Sequence, residues 1–172
     1  MLLAFGISVV SLAIVEYLAH RLVMHHECAG LLKSKFDRHP VQHHRLRRLD
    51  INIDAPAWYY LAIGSPALAC LAATGRWGEL VVCSTTVACY AWLWTGVHRA
   101  SHDLGGKWAT YLPIYPSLKR HHLAHHARPG RNFGALFGPL FDIPLGTWAG
   151  KGLVVQAADH RLPPDESGES NS

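Results

Sequence analysis

Three stretches of this chain are apolar almost without interruption, and what separates them is polar and rich in histidine. Residues 1–19, MLLAFGISVVSLAIVEYLA, carry one charge, Glu16; residues 55–74, APAWYYLAIGSPALACLAAT, carry none; residues 77–97, WGELVVCSTTVACYAWLWTGV, carry only Glu79. None shows the polar face of an amphipathic helix or the alternation of a half-buried strand. Each is close to the ~20 apolar residues that cross a hydrocarbon core as a helix. The fold class this predicts is all-α, a multi-pass transmembrane helical protein with three spans. The first stretch is apolar from its start and runs straight into His20 and Arg21 with no small-residue cleavage site, which favours a span over a removable leader.

The second and third stretches are joined by TGRWG, a turn in which Gly75 and Gly78 give the backbone freedom. Gly64, Ser65 and Pro66 interrupt the second stretch and predict a kink there. At 172 residues the chain is one domain in length. That domain is expected over 1–156, followed by a disordered tail over 157–172, which is polar and rich in Pro, Ser and Gly.

The formal charge of +4 does not point to nucleic acid once the basic residues are located. Residues 20–50 hold seven Lys and Arg and residues 98–131 hold six, whereas the connector between the second and third stretches holds only Arg76. By the positive-inside rule both basic segments face the cytoplasm. Their charge then serves orientation and contact with anionic headgroups. Cys28, Cys70, Cys83 and Cys89 have no CxxC spacing and read as small buried hydrophobes, not thiolate ligands or a disulfide frame.

Of 13 histidines, all but His160 fall into four short boxes: HRLVMHH (His20, His25, His26), HPVQHH (His39, His43, His44), HRASH (His98, His102) and HHLAHH (His121, His122, His125, His126). Residues four apart share a helix face, so His39 with His43, His98 with His102, His121 with His125 and His122 with His126 are each spaced to converge on one ion. The second histidine of an HH doublet points ~100° away and is free to serve another ion. His20 and His25, five apart, are ~140° apart on an ideal helix: either the helix loosens there or the two serve different ions. Every box lies where an apolar stretch ends or in a basic segment, so all four can meet at one cytoplasmic face. Imidazole suits Fe, Zn, Cu and Ni. Twelve donors exceed a four-ligand structural zinc site and suffice for two ions.

In order and spacing the boxes HX4HH, HX3HH, HX3H and HX3HH, followed by NFG from Asn132 and then FDIPLGTW, resemble the fatty acid hydroxylase and sterol desaturase superfamily of membrane histidine-box enzymes, carotenoid-hydroxylase-like members included. The resemblance runs from about residue 14 to 148. It implies two iron ions, for which zinc could substitute, held by the twelve box histidines and activating O2, with no catalytic side chain beyond the ligands. The family commonly has four or more spans, against three here. His26 and one of His121 and His122 are extra to the simplest pattern.

A metal-bound histidine usually gives its other N–H to a carboxylate or carbonyl. Glu16, four residues before His20, is one candidate partner; Asp103, Asp37 and Asp142 are others. Asn132 either orients a histidine or shapes a turn. No nucleotide-binding fingerprint is present. Electrons would therefore come from a separate donor of the ferredoxin or cytochrome b5 type, and the lipid substrate would come from the bilayer. Hydroxylation is preferred over desaturation. A zinc protease would carry HExxH, which is absent; a bis-histidine haem protein would place its ligands within the spans. A histidine-rich metal transporter is the rival of a different class, and it is disfavoured because only Glu16 and Glu79 would line an ion path.

Overall fold

The computed structural model describes residues 1–27, 29, 30, 33–51 and 54–148, and among these every regular element is helical. The expectations for Cys28, His160 and the 157–172 tail lie outside the described residues. Helix α1 (Leu2–Leu18) continues without a break into a π-helical segment, Ala19–Met24. The short α2 (Lys33–Phe36) likewise opens into a π-helical segment, Asp37–Arg45. Then come α3 (Ala57–Ala73), α4 (Trp77–Ser101), a 3-10 turn at Lys107–Tyr111, α5 (Tyr115–Ala127) and α6 (Gly138–Asp142).

Among the described residues two helices, Leu2–Met24 with 23 residues and Trp77–Ser101 with 25, are long and apolar enough to cross a membrane. The third expected span corresponds to α3, which is shorter than these two. Helix α3 is as apolar as expected but stops at 17 residues, about 25 Å, because extended Pro56 delays its start and Gly75, at φ +69°, ends the chain's course before α4. Pro66 does not break α3. It leaves the Ala62 carbonyl without its amide donor, and the Ser65 hydroxyl bonds that carbonyl instead at 2.8 Å.

These helices turn large apolar residues outward. Leu2, Leu3, Phe5, Ile7, Val10, Ile14 and Leu18 form an exposed strip along α1, and no residue of α3 is buried. Contiguous exposed apolar surface of this kind belongs against a bilayer or a partner. Cys70 and Cys89 are exposed, so their reading as buried hydrophobes is corrected, whereas Cys83 is half-buried and accepts a hydrogen bond from Ser8 of α1 at 3.2 Å.

Helix α4 is the axis of the molecule. Its Tyr90, Trp94 and Val97 meet Leu12 of α1, and Tyr115 and Leu118 of α5 join the same cluster. The chain returns after α4 because Gly106, at φ +68°, lies against the Gly96 carbonyl, where an added Cβ would sit 2.3 Å away; Trp108 then covers Gly96. On the other flank Asp54 takes two hydrogen bonds from Arg99, at 2.6 and 2.7 Å, and the Ala55 amide bonds the Thr95 hydroxyl at 3.0 Å. These ties bring the π-helical segment and α5 to the same end of α4, the end that carries His98 and His102.

Candidate metal centre

A π-helix closes hydrogen bonds from i to i+5, so residues five apart come to lie over one another. In the first box that winding places the His20 and His25 rings 5.0 Å apart. In the second it brings His39 and His44 to 4.6 Å, with Nε2 atoms 3.1 Å apart. Pro40 favours the wider winding there, since it has no amide proton and its ring would clash with the carbonyl four residues back in an α-helix. The third and fourth boxes are ordinary α-helix and pair at four: His98 with His102 at 5.1 Å, His122 with His126 at 4.6 Å.

Ten imidazoles thereby form two groups of five, in each of which the donor nitrogens all lie within 4.8 Å of one another. The first group is His20, His25, His39, His44 and His125; the second is His43, His98, His102, His122 and His126. Each contains two helical pairs and one single histidine. The doublets His43–His44 and His125–His126 divide between the groups and hold them side by side. The pairings expected at spacing four for His39–His43 and His121–His125 are corrected: π winding sends His39 to join His44, and His121 turns away to Asp142.

The loop 131–135 fixes the first group. Ring Nδ1 of His20 donates to the Phe133 carbonyl at 2.5 Å, and Nδ1 of His125 donates to the Arg131 carbonyl at 2.6 Å. The loop is itself held by two buried carboxylates. Asp142 accepts the amides of Phe133 at 3.0 Å and Gly134 at 3.2 Å, the Thr147 hydroxyl at 2.6 Å and His121 Nε2 at 3.1 Å. Glu16 accepts the Ala135 amide on one oxygen and the Tyr90 hydroxyl on the other. Asn132, at φ +55°, makes the bend; its amide bonds the Thr147 carbonyl at 2.9 Å.

The donor set suits a metal. With Nδ1–H committed to a carbonyl, the Nε2 of His20 and His125 carries a lone pair. Yet His20 Nε2 lies 2.7 Å from His39 Nε2, and His125 Nε2 lies 3.1 Å from His25 Nε2. In the second group His122 and His102 meet at 2.8 Å, and His98 and His43 at 3.3 Å, again through Nε2. Metal–imidazole bonds of about 2.0–2.1 Å set 90–110° apart give nitrogen separations of about 2.8–3.4 Å, which is close to the spacing found. Burial, reinforced by neighbouring imidazoles, holds His39, His122, His125 and His126 well below the ordinary imidazole pKa, and burial pushes His43 down to about 4. They are neutral at pH 7, the form a metal binds. Five donors per group exceed the four of a structural zinc site.

The other sequence-derived candidates separate cleanly. His26 is exposed and lies outside both groups, as does His121. Glu16 is buried but does not meet His20; that pairing is corrected, because the His20 ring turns to the loop. Asp103 is corrected too: its exposed carboxylate meets Lys119 at 3.3 Å. Asp37 pairs with Lys33 at the surface at 2.7 Å. Asp142 does meet a box histidine, His121. Burial raises its pKa, but its four hydrogen bonds outweigh this and hold it below the usual carboxylate value. Asn132 Nδ2 reaches the His121 carbonyl at 3.5 Å. Tyr90, Thr147 and the two loop carbonyls are absent from the sequence-derived set; main-chain acceptors have no residue-type signature, though a tyrosine inside an apolar span is a weak one.

Apolar outward-facing helices ending in paired imidazole groups define a membrane histidine-box protein. The family model for fatty acid hydroxylase matches residues 5–147, and the chain belongs to that family, whose members are typically hydroxylase or desaturase oxidoreductases. No curated relative and no solved structure matches it.

Proposed function

We propose that this protein is a membrane-bound non-haem di-iron oxygenase that hydroxylates a lipid, using O2 and electrons from a separate ferredoxin or cytochrome b5 type carrier. The observation that carries this reading is the pair of adjacent five-imidazole groups at the end of two apolar helices. His20, His25, His39, His44 and His125 would hold one iron, and His43, His98, His102, His122 and His126 the other. Two irons, when bound, supply O2 activation for removal of hydrogen from an unactivated C–H bond. Zinc fits the same nitrogens but brings no redox chemistry.

The chain's own residues perform the rest. The neutral imidazoles give two compact donor sets, and the doublets His43–His44 and His125–His126 keep the sites adjacent. The loop carbonyls fix the tautomers of His20 and His125, so their Nε2 lone pairs face inward. Buried Tyr90, Trp94 and Val97 separate the groups from water on the α4 side. A substrate arriving through the bilayer meets the site where the helices leave lipid. We place that end in the cytoplasm, on the asymmetry of basic residues, in a multi-pass chain with α3 as a short third apolar element.

The test is anaerobic purification with metal analysis, joined to lipid profiling of cells with and without the gene. Two irons per chain and a new hydroxylated lipid are expected. A new double bond instead would make the protein a desaturase; an unchanged lipid pool with histidine-dependent ion flux in vesicles would make it a metal transporter.

A further inference from the structure

Glu16 lies inside the first apolar helix and is 5% exposed. A carboxylate at such a position is expensive unless its oxygens are partnered, and here they point in different directions. Oε2 accepts from Tyr90, eight residues before His98 on α4, and Oε1 accepts from the Ala135 amide. The next residue, Tyr17, hydrogen-bonds the Thr147 hydroxyl at 2.9 Å, and Thr147 in turn donates to Asp142. One short stretch of α1, a turn before His20, thus holds the whole 131–135 loop from beneath. Both carbonyls that this loop gives to ring nitrogens go to the first group, to His20 and His125. Three of the second group's five histidines lie on the regular helices α4 and α5 and a fourth, His102, caps α4; the mutual packing of these helices through Trp94, Val97, Tyr115 and Leu118 does not pass through the loop.

We propose that Glu16 is a positioning residue for the first imidazole group: through the Ala135 amide it holds the loop in the register that aims the Arg131 and Phe133 carbonyls at His125 and His20. The consequence is that the two ion sites are inequivalent, one dependent on a carboxylate inside the membrane-type helix and the other not. This rests on the two-ion reading above.

The experiment uses the full chain in detergent, stripped by a chelator and reloaded anaerobically with ferrous iron, with the metal-to-protein ratio measured by mass spectrometry. The unaltered protein should hold two ions, and Glu16→Ala should hold one. Glu16→Gln should return to two, because the amide oxygen still accepts from Ala135, and Tyr90→Phe should keep two because the loop contact is intact. Adding His25→Ala to Glu16→Ala should leave the ratio at one, since both act on one site, whereas adding His102→Ala should take it to zero. Ala135→Pro removes the amide donor with the carboxylate in place and should match Glu16→Ala. A ratio of two in Glu16→Ala, a loss of both ions in a monodisperse Glu16→Ala, or equal loss in Glu16→Gln overturns the proposal. Failure of both Glu16→Ala and Ala135→Pro to fold would make the contact a fold determinant and overturn it as well. A ratio below two in the unaltered chain overturns the two-ion reading and this inference together.

Discussion

His43 and His44 are consecutive residues that serve opposite imidazole groups, their rings 5.3 Å apart and nearly perpendicular at 83°. Each is therefore a separate handle on one site. His43→Ala should empty the second group and His44→Ala the first, each lowering bound iron from two to one. Since changes outside the ligand set already lose 10–100-fold, each should reduce product formation by at least about 100-fold. His26→Ala, in an exposed residue outside both groups, should leave metal content at two. Metal analysis of the three variants checks this; equal loss in His43→Ala and His26→Ala would refute the grouping.

Burial lowers the pKa of His39, His122, His125 and His126, and pushes that of His43 down to about 4. In the metal-free protein the unfolded chain, with histidine near 6.5, binds protons that the folded chain refuses. Stability therefore rises with pH where these differ: it is intact above about pH 6.5 and is lost as pH falls from there through 4. Metal-stripped protein should melt at progressively lower temperature between pH 8 and 5. A flat profile over that range would mean that the imidazoles are solvated, contrary to their burial.

His121 sits among metal-box residues but bonds Asp142, and Gly138 lies against its ring so closely that an added Cβ would be 2.1 Å from Nε2. Its role is support. His121→Ala removes one of four hydrogen bonds from a buried carboxylate and should destabilise by about 1–3 kcal/mol, while leaving two ions bound. Gly138→Ala should destabilise by a similar ~1–3 kcal/mol through overpacking. Thermal melts read the loss, and metal analysis separates it from a ligand defect.

The boxes themselves are legible in the sequence because imidazole repeated in four clusters beside apolar stretches suits little chemistry except metal binding. Their division is only half legible. Spacing of four correctly pairs His98 with His102 and His122 with His126, but it misassigns His39, because nothing in HPVQHH except Pro40 signals that the helix widens. The five-residue interval of His20 and His25 raises the same question in the first box, and the π winding of Ala19–Met24 answers it. Glu16 stands out as a lone charge in an apolar run, yet its partner is 119 positions away in a loop, beyond any argument from helix faces. The short α3 shows the converse limit: composition marks an apolar segment, while the flanking turn residues set its length.

The outward strip on α1 separates a membrane helix from a merely exposed one. Val10 is near the middle of Leu2–Met24 and 49% exposed, with no charged residue on the strip. In water, Val10→Lys would be a surface change within about ±0.5 kcal/mol. At the centre of a membrane helix lysine costs about 2.5–3.5 kcal/mol on an insertion scale, enough to shift an insertion equilibrium by roughly two orders of magnitude. Val10→Lys should therefore reduce the fraction of chain that resists alkaline extraction from membranes, whereas Arg21→Lys, beyond the apolar run, should not. If both variants extract like the unaltered protein, the α1 strip does not face lipid. The apolar surface it presents would then need another chain to cover it.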